Sequence, residues 1–225
     1  MMRFAVMSML ACVLAFGDAA AQGTPAPQGA TPERVDLPDE AGEALIWEGG
    51  PRAVLLAHGA IYDAASWSEQ AAALHGAGYT VLSLEEISPD AITTGIGWLL
   101  EEADAAGVVV IGASAGGGGA LRALAVAPEG VVGLVLLGAT GDVAPLGAYP
   151  KLFTASEGEG MRDRLDAMAE TSAGESNRVV IVEGDAHAQA TFGTPVGERL
   201  LDEILAFLED DAAWPDGAAS VTGRG

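Results

Sequence analysis

Cysteine and positive charge are what this chain has least of. Cys12 is the only cysteine in 225 residues, and it sits inside an N-terminal apolar run. The rest of the chain therefore has no disulfide and no thiol nucleophile. Ten basic residues face 32 acidic ones, for a net charge of −22, and Lys151 is the single lysine. Such a surface repels nucleic acid and anionic lipid, so neither is expected as a partner. Two origins of the acidity stay open: solubility combined with a bias towards Ala, Gly and Arg, or adaptation to high salt, where screening removes the self-repulsion. No cluster with metal-ligand spacing stands out. The glycines 116–119 lack the lysine of a phosphate-cradling loop, so no metal and no cofactor is expected.

The N-terminus carries a targeting pattern. Arg3 precedes an apolar stretch from Phe4 to Phe16, and Ala19-Ala20-Ala21 before Gln22 offers a small-residue cleavage site. Residues 1–21 read as a secretory signal peptide, which implies a secreted or periplasmic protein. Lipid attachment at Cys12 is the weaker alternative, because Met9-Leu10-Ala11 matches a lipobox poorly. The run is too short to span a bilayer, so no stable membrane anchor is expected. Residues 22–42, rich in proline and polar residues, read as a linker, residues 43–209 as one domain, and residues 210–225 as a flexible tail.

Strand and helix patterns alternate through the domain. Strands are expected at 43–48, 52–57, 79–84, 108–111, 131–137, 152–155 and 179–182. Helices are expected at 63–77, 92–106, after Ser114 to Pro128, at 161–170 and at 195–208, the last capped by Thr194 with Pro195 in its first turn. Such alternation predicts a mostly parallel sheet with helices on both faces. Reactive loops then collect at the carboxyl ends of the strands. His58, Ser114, Asp142, Glu157, Glu159, Asp185 and His187 all follow expected strands, so they should share that edge.

The chain is organised around Val108-Val109-Val110-Ile111, which runs into Gly112-Ala113-Ser114-Ala115-Gly116. A buried strand, a tight turn with serine at its apex and a helix together form the context of a nucleophile elbow. A serine nucleophile needs a histidine to take its proton and an acid to orient that histidine. Of the three histidines, His75 falls in the last turn of a helix, at the wrong end of the sheet. His58, directly after a central strand, reads as a loop-shaping residue. His187, in Gly184-Asp185-Ala186-His187, lies downstream of the serine and reads as the base.

Four segments together resemble the α/β-hydrolase superfamily, in particular small dienelactone-hydrolase-like and carboxylesterase members. They are Leu55-Leu56-Ala57-His58-Gly59-Ala60, the Ser114 pentapeptide, Lys151 to Glu159, and Gly184 to His187. The resemblance implies a Ser–acid–His triad and an oxyanion hole whose backbone donors come from Ala115 and Ala60. It also implies an acid about three residues beyond a small turn residue; counting from Ser156 reaches Glu159, a glutamate where relatives usually carry aspartate. Glu157, Asp163 and Asp142 remain alternatives. Only residues 139–149 separate the strand ending near Gly138 from Pro150, too few for a helical cap domain. An open, lidless serine hydrolase is therefore expected, acting on carboxylic esters of small molecules or polymer ends. The rivals are a thioesterase or peptidase on the same fold, and a non-catalytic binding protein.

Overall fold

A computed structural model describes residues 31–216. The expected signal peptide, with Cys12, lies outside the described residues, as does the end of the expected tail. Eight strands form one sheet: β1 (Glu33–Asp36), β2 (Glu43–Trp47), β3 (Arg52–Ala57), β4 (Thr80–Leu84), β5 (Gly107–Ala113), β6 (Val131–Leu137), β7 (Lys151–Ser156) and β8 (Arg178–Val182). Their spatial order is β1-β2-β4-β3-β5-β6-β7-β8. Pairing is parallel from β4 through β8 and antiparallel only where β2 meets β1 and β4.

The helices are α1 (Ser68–Gly76), α2 (Pro89–Glu101), α3 (Ala115–Leu124), α4 (Arg162–Thr171) and α5 (Gly197–Ala206). The near-continuous apolar strands are explained by burial on both faces. On one face Leu55, Val108, Val110, Leu134 and Phe153 pack against Ile92, Ile96 and Leu99 of α2, Leu124 of α3 and Leu165 of α4. On the other, Val54, Leu56, Val109, Ile111 and Leu137 pack against Ala71 and Leu74 of α1 and Leu200 and Ile204 of α5. The period-2 alternation along each strand divides these two cores. Residues 138–150, between β6 and β7, contain no helix, so no cap covers this edge of the sheet.

Three expectations need correction. The segment read as a linker to residue 42 contains strand β1, whose register pairs Glu33 with Ile46 and Asp36 with Glu43. Leu37 and Ala41, just beyond it, are buried in the core. The segment read as a tail from residue 210 begins packed. Phe207–Asp211 form a wide helical turn, Asp211 pairs with Arg178 at 2.9 Å, and the Trp214 ring lies 5.9 Å from that of Tyr79. Thr194 does not cap the last helix. Residues Ala188–Gly193 form a 3-10 turn that ends at Thr194, whose hydroxyl donates back to Thr191 O at 2.7 Å, so α5 begins only at Gly197.

Candidate active site

The site is built at the carboxyl ends of β3, β5, β7 and β8. Ser114 sits between β5 and α3 with φ +47° and ψ −107°, a strained conformation for a residue with a Cβ. Its N–H donates to Leu137 O of β6 at 2.9 Å, and its carbonyl accepts from the Gly118 N–H at 3.0 Å. These bonds hold the turn so that the side chain stands clear of both strand and helix. Only glycine fits at position 116, where a Cβ would come within 2.3 Å of Ala57 O. That close approach lets the Gly116 N–H donate to His58 O at 3.0 Å, tying the elbow to the loop after β3.

His187 follows β8 and brings its Nε2 to 2.7 Å from Ser114 Oγ. Its Nδ1 lies 2.6 Å from Glu159 Oε1. The carboxylate can only accept, so it fixes the proton on Nδ1 and leaves the Nε2 lone pair to accept from the serine hydroxyl. The Glu159 side chain is 9% exposed and that of His187 56%. The carboxylate is thus sheltered, while the imidazole faces the opening. A side chain at Gly138, which has φ +57°, would press to 3.1 Å from His187 Cε1, so the end of β6 also limits where the ring can go.

The remaining candidates are placed as follows. Glu157, Asp163 and Asp185 are exposed. Asp142 is exposed too, and its Oδ1 accepts from the Ala144 N–H at 3.0 Å. None of them is brought to His187. His75 bonds Glu48 O at 2.9 Å. His58 is buried, with ring nitrogens 2.8 Å from Gly59 O and 2.9 Å from Glu85 O, which fits its reading as a loop-shaping residue. Ala60 shares with Ser114 and His187 a cavity of about 250 Å³. Ala115 is the first residue of α3, where N–H groups lack intrahelical acceptors. Among the described residues its N–H bonds to no backbone carbonyl, whereas those of Gly116 and Gly118 do.

Two supporting roles are absent from the sequence reading, in which Ser156 served only as the turn residue to count from. Ser156, the last residue of β7, donates its N–H to Glu159 Oε2 at 2.7 Å and its hydroxyl to Ala186 O at 2.5 Å. It thereby orients the acid and anchors the histidine loop. The signal was present: Ser156-Glu157-Gly158-Glu159 carries the S-x-x-E spacing of a capping box. The second is Gln189, which is buried. Its Oε1 accepts from the Gly59 N–H at 3.1 Å and its Nε2 donates to Ser66 Oγ at 2.7 Å, locking the loop after β3 to the loop after β8. Its only sequence signal is being the one amide in Ala186-His187-Ala188-Gln189-Ala190. Among the described residues no group of three or more His, Cys, Asp or Glu could hold a metal ion, and no helix is long and apolar enough to cross a membrane.

No family model matches the sequence, and no curated protein does. Solved structures do match in shape. A dienelactone hydrolase from Anabaena variabilis superposes with a TM-score of 0.65 at 21% identity, over 80% of this chain and 99% of its own. An esterase from Exiguobacterium antarcticum gives 0.59 at 13% identity, over 79% and 99%. A proline iminopeptidase from Mycobacterium smegmatis gives 0.61 at 12%, over 80% and 98%. Together with the strand order and helix placement, these likenesses establish that the chain has the α/β-hydrolase fold, with no separate cap domain among the described residues.

Proposed function

We propose that the protein is a serine hydrolase of carboxylic esters working through an acyl-enzyme. The observation that carries this is the continuous line Ser114 Oγ, His187 Nε2, His187 Nδ1, Glu159 Oε1, with steps of 2.7 and 2.6 Å, opening on the cavity beside Ala60. In this reading Ser114 Oγ attacks the acyl carbon while His187 Nε2 takes its proton. The charge forming on the carbonyl oxygen is met by the N–H groups of Ala115 and Ala60. Collapse expels the alcohol, which leaves with the proton held on His187. Water then attacks the acyl-serine, again giving a proton to Nε2, and the acid is released as Ser114 regains it. Glu159 stays ionised and stabilises the imidazolium.

Esterases and a dienelactone hydrolase among the structural neighbours favour esters. The proline iminopeptidase among them keeps amide cleavage as the second reading. The leader-like residues 1–21 support action outside the cytoplasm, and the uncapped edge suits exposed ester groups. The test is hydrolysis of p-nitrophenyl acetate beside a matched thioester and anilide, with a fluorophosphonate probe mapped to Ser114 by mass spectrometry. Ester turnover with labelling at Ser114 is expected. Absence of labelling would leave the binding-protein rival standing.

A further inference from the structure

The cavity before Ser114 has three of its lining residues, Tyr62, Gln189 and Ala190, in common with a second recess of about 280 Å³, so the two adjoin at a waist there. The compartments differ in chemistry. The first is walled by Ala60, Ile61 and Ala188 beside the serine; Ile61 is 89% exposed, an apolar side chain left in water at the mouth. The second is lined by Ser66, Glu69 and Gln70, all able to accept a hydrogen bond and one of them anionic, beside Phe192 and Gly193. Among the described residues, neither compartment is lined by a lysine or arginine. A carboxylate or phosphate inside would find no counter-ion there, and it would also meet the repulsion of a chain at −22.

The leaving alcohol must take its proton from His187, whose side chain is 56% exposed, so its exit lies towards solvent. That leaves the cleft to the acyl arm. We propose, resting on the serine-hydrolase reading, that the substrates are esters of acyl chains apolar near the carbonyl and ending in an uncharged or cationic hydrogen-bonding group. The first compartment holds about eight non-hydrogen atoms, at roughly 30 Å³ each. A chain of six carbons therefore reaches the waist and presents its end group to Glu69 and Gln70.

The experiment compares p-nitrophenyl acetate with p-nitrophenyl hexanoates ending in methyl, hydroxyl, ammonium or carboxylate. It is run on the wild type, Ala190→Phe and Glu69→Gln, in low and molar salt. Ala190 and Glu69 are exposed, so neither change disturbs the core. The hydroxyl and ammonium esters should exceed the carboxylate ester in kcat/KM by about tenfold or more, and molar salt should leave part of that gap in place. Ala190→Phe narrows the waist and should lower the hexanoate-to-acetate ratio by about tenfold, as lost burial of several methylenes implies. Glu69→Gln should cost the ammonium ester about threefold and the hydroxyl ester less, in keeping with an exposed charge pair. A preferred carboxylate ester, or a hexanoate-to-acetate ratio unmoved by Ala190→Phe, overturns the proposal while Ser114-dependent acetate hydrolysis keeps the serine reading. If acetate is not hydrolysed and Ser114 takes no fluorophosphonate, the serine reading fails and the cleft assignment falls with it.

Discussion

Strand β7 carries a polar constellation at each end, and the two differ in what their hydrogen bonds leave over. At its carboxyl end Ser156 steers Glu159 towards His187, and the line continues to a serine facing a cavity. At its amino end stands Lys151, the chain's only lysine, fully buried in the core. Its Nζ donates to Gly147 O, Tyr149 O and Ala173 O at 2.8, 2.7 and 2.7 Å and lies 4.6 Å from the Tyr149 ring centroid. Three donors meet three acceptors, so nothing remains to offer a ligand. The lysine closes the connections before β7 and after α4. At the other end, the serine hydroxyl and the open side of the imidazole retain unspent chemistry. Saturated and sealed marks structure; polarised and open marks reaction.

The sharpest way to break this contrast is to remove the reacting atoms. Ser114→Ala should abolish ester turnover and fluorophosphonate labelling, a loss on the order of a millionfold in kcat, the size seen when a serine nucleophile is removed from a hydrolase that uses one. His187→Ala should cost nearly as much, and the double variant little more, because the two act as one unit. Additive losses in steady-state kinetics would show that they do not.

The next largest effect concerns the acid. Glu159→Gln keeps the shape of the side chain but loses the charge that stabilises the imidazolium, so kcat should fall by several hundredfold or more. Asp142→Asn, Glu157→Gln and Asp163→Asn should each stay near wild type in the same assay, since those carboxylates are exposed. A crippled Asp142→Asn beside a nearly silent Glu159→Gln would reassign the acid and leave the pairing of Ser114 with His187 in place.

How far all this was legible depended on how local each determinant is. The elbow was legible because Val108 to Ile111 and Gly112 to Gly116 encode strand, turn and helix start within a dozen residues. The histidine that meets Ser114 was legible through chain order. Glu159 was reached by counting from Ser156, with Glu157, Asp163 and Asp142 left open, because the choice is made by a bond from Ser156 N–H that forms only once β7 has ended in its turn. Strand β1 was hidden because Glu-Arg-Val-Asp has no apolar face of its own; its register comes from β2, and Arg34 pairs with Glu43 at 2.5 Å across that edge. Trp214 was hidden for the same reason: its partners Tyr79 and Arg52 are far away in sequence. Gln189 was invisible because its work is to join two loops more than a hundred residues apart.

The amino end of β7 can be broken in turn. Lys151→Met removes the ammonium and its bonds to the carbonyls of Gly147, Tyr149 and Ala173, so unfolding should become easier by about 2–5 kcal/mol, or roughly 5–15 °C in Tm by thermal denaturation. Activity per folded molecule should be kept. Lost activity without lost stability would contradict the division between the two ends. Smaller still is Gln189→Ala, which frees the Gly59 N–H and loosens the loop carrying Ala60. A drop of about tenfold in kcat is expected, with KM for p-nitrophenyl acetate little changed and partial rescue by Gln189→Asn. An effect confined to KM would mean that Gln189 acts only as a wall of the cavity.

The smallest effect is a pH dependence of stability. Burial pushes the Lys151 amine down from its ordinary 10.5 to about 8. The unfolded chain keeps the ordinary value, so between those limits it binds more protons than the folded chain, and the unfolding free energy should rise with pH. The contribution is complete above the unfolded value and lost as pH falls through the folded one. Tyr149 works the other way: burial raises its phenol to about 12, and Tyr79 is raised too. Both then cost stability once unfolded tyrosine ionises near 10. The clean window is thus pH 8 up to the start of tyrosine ionisation. Urea midpoints of wild type and Lys151→Met, measured side by side, cancel the background of a chain at −22. The wild type should gain on the variant across that window and run parallel to it below. A constant difference throughout would mean that the three carbonyls hold the ammonium charged against its burial. The amino end of β7 would then be a fixed cation cage, not a titrating group.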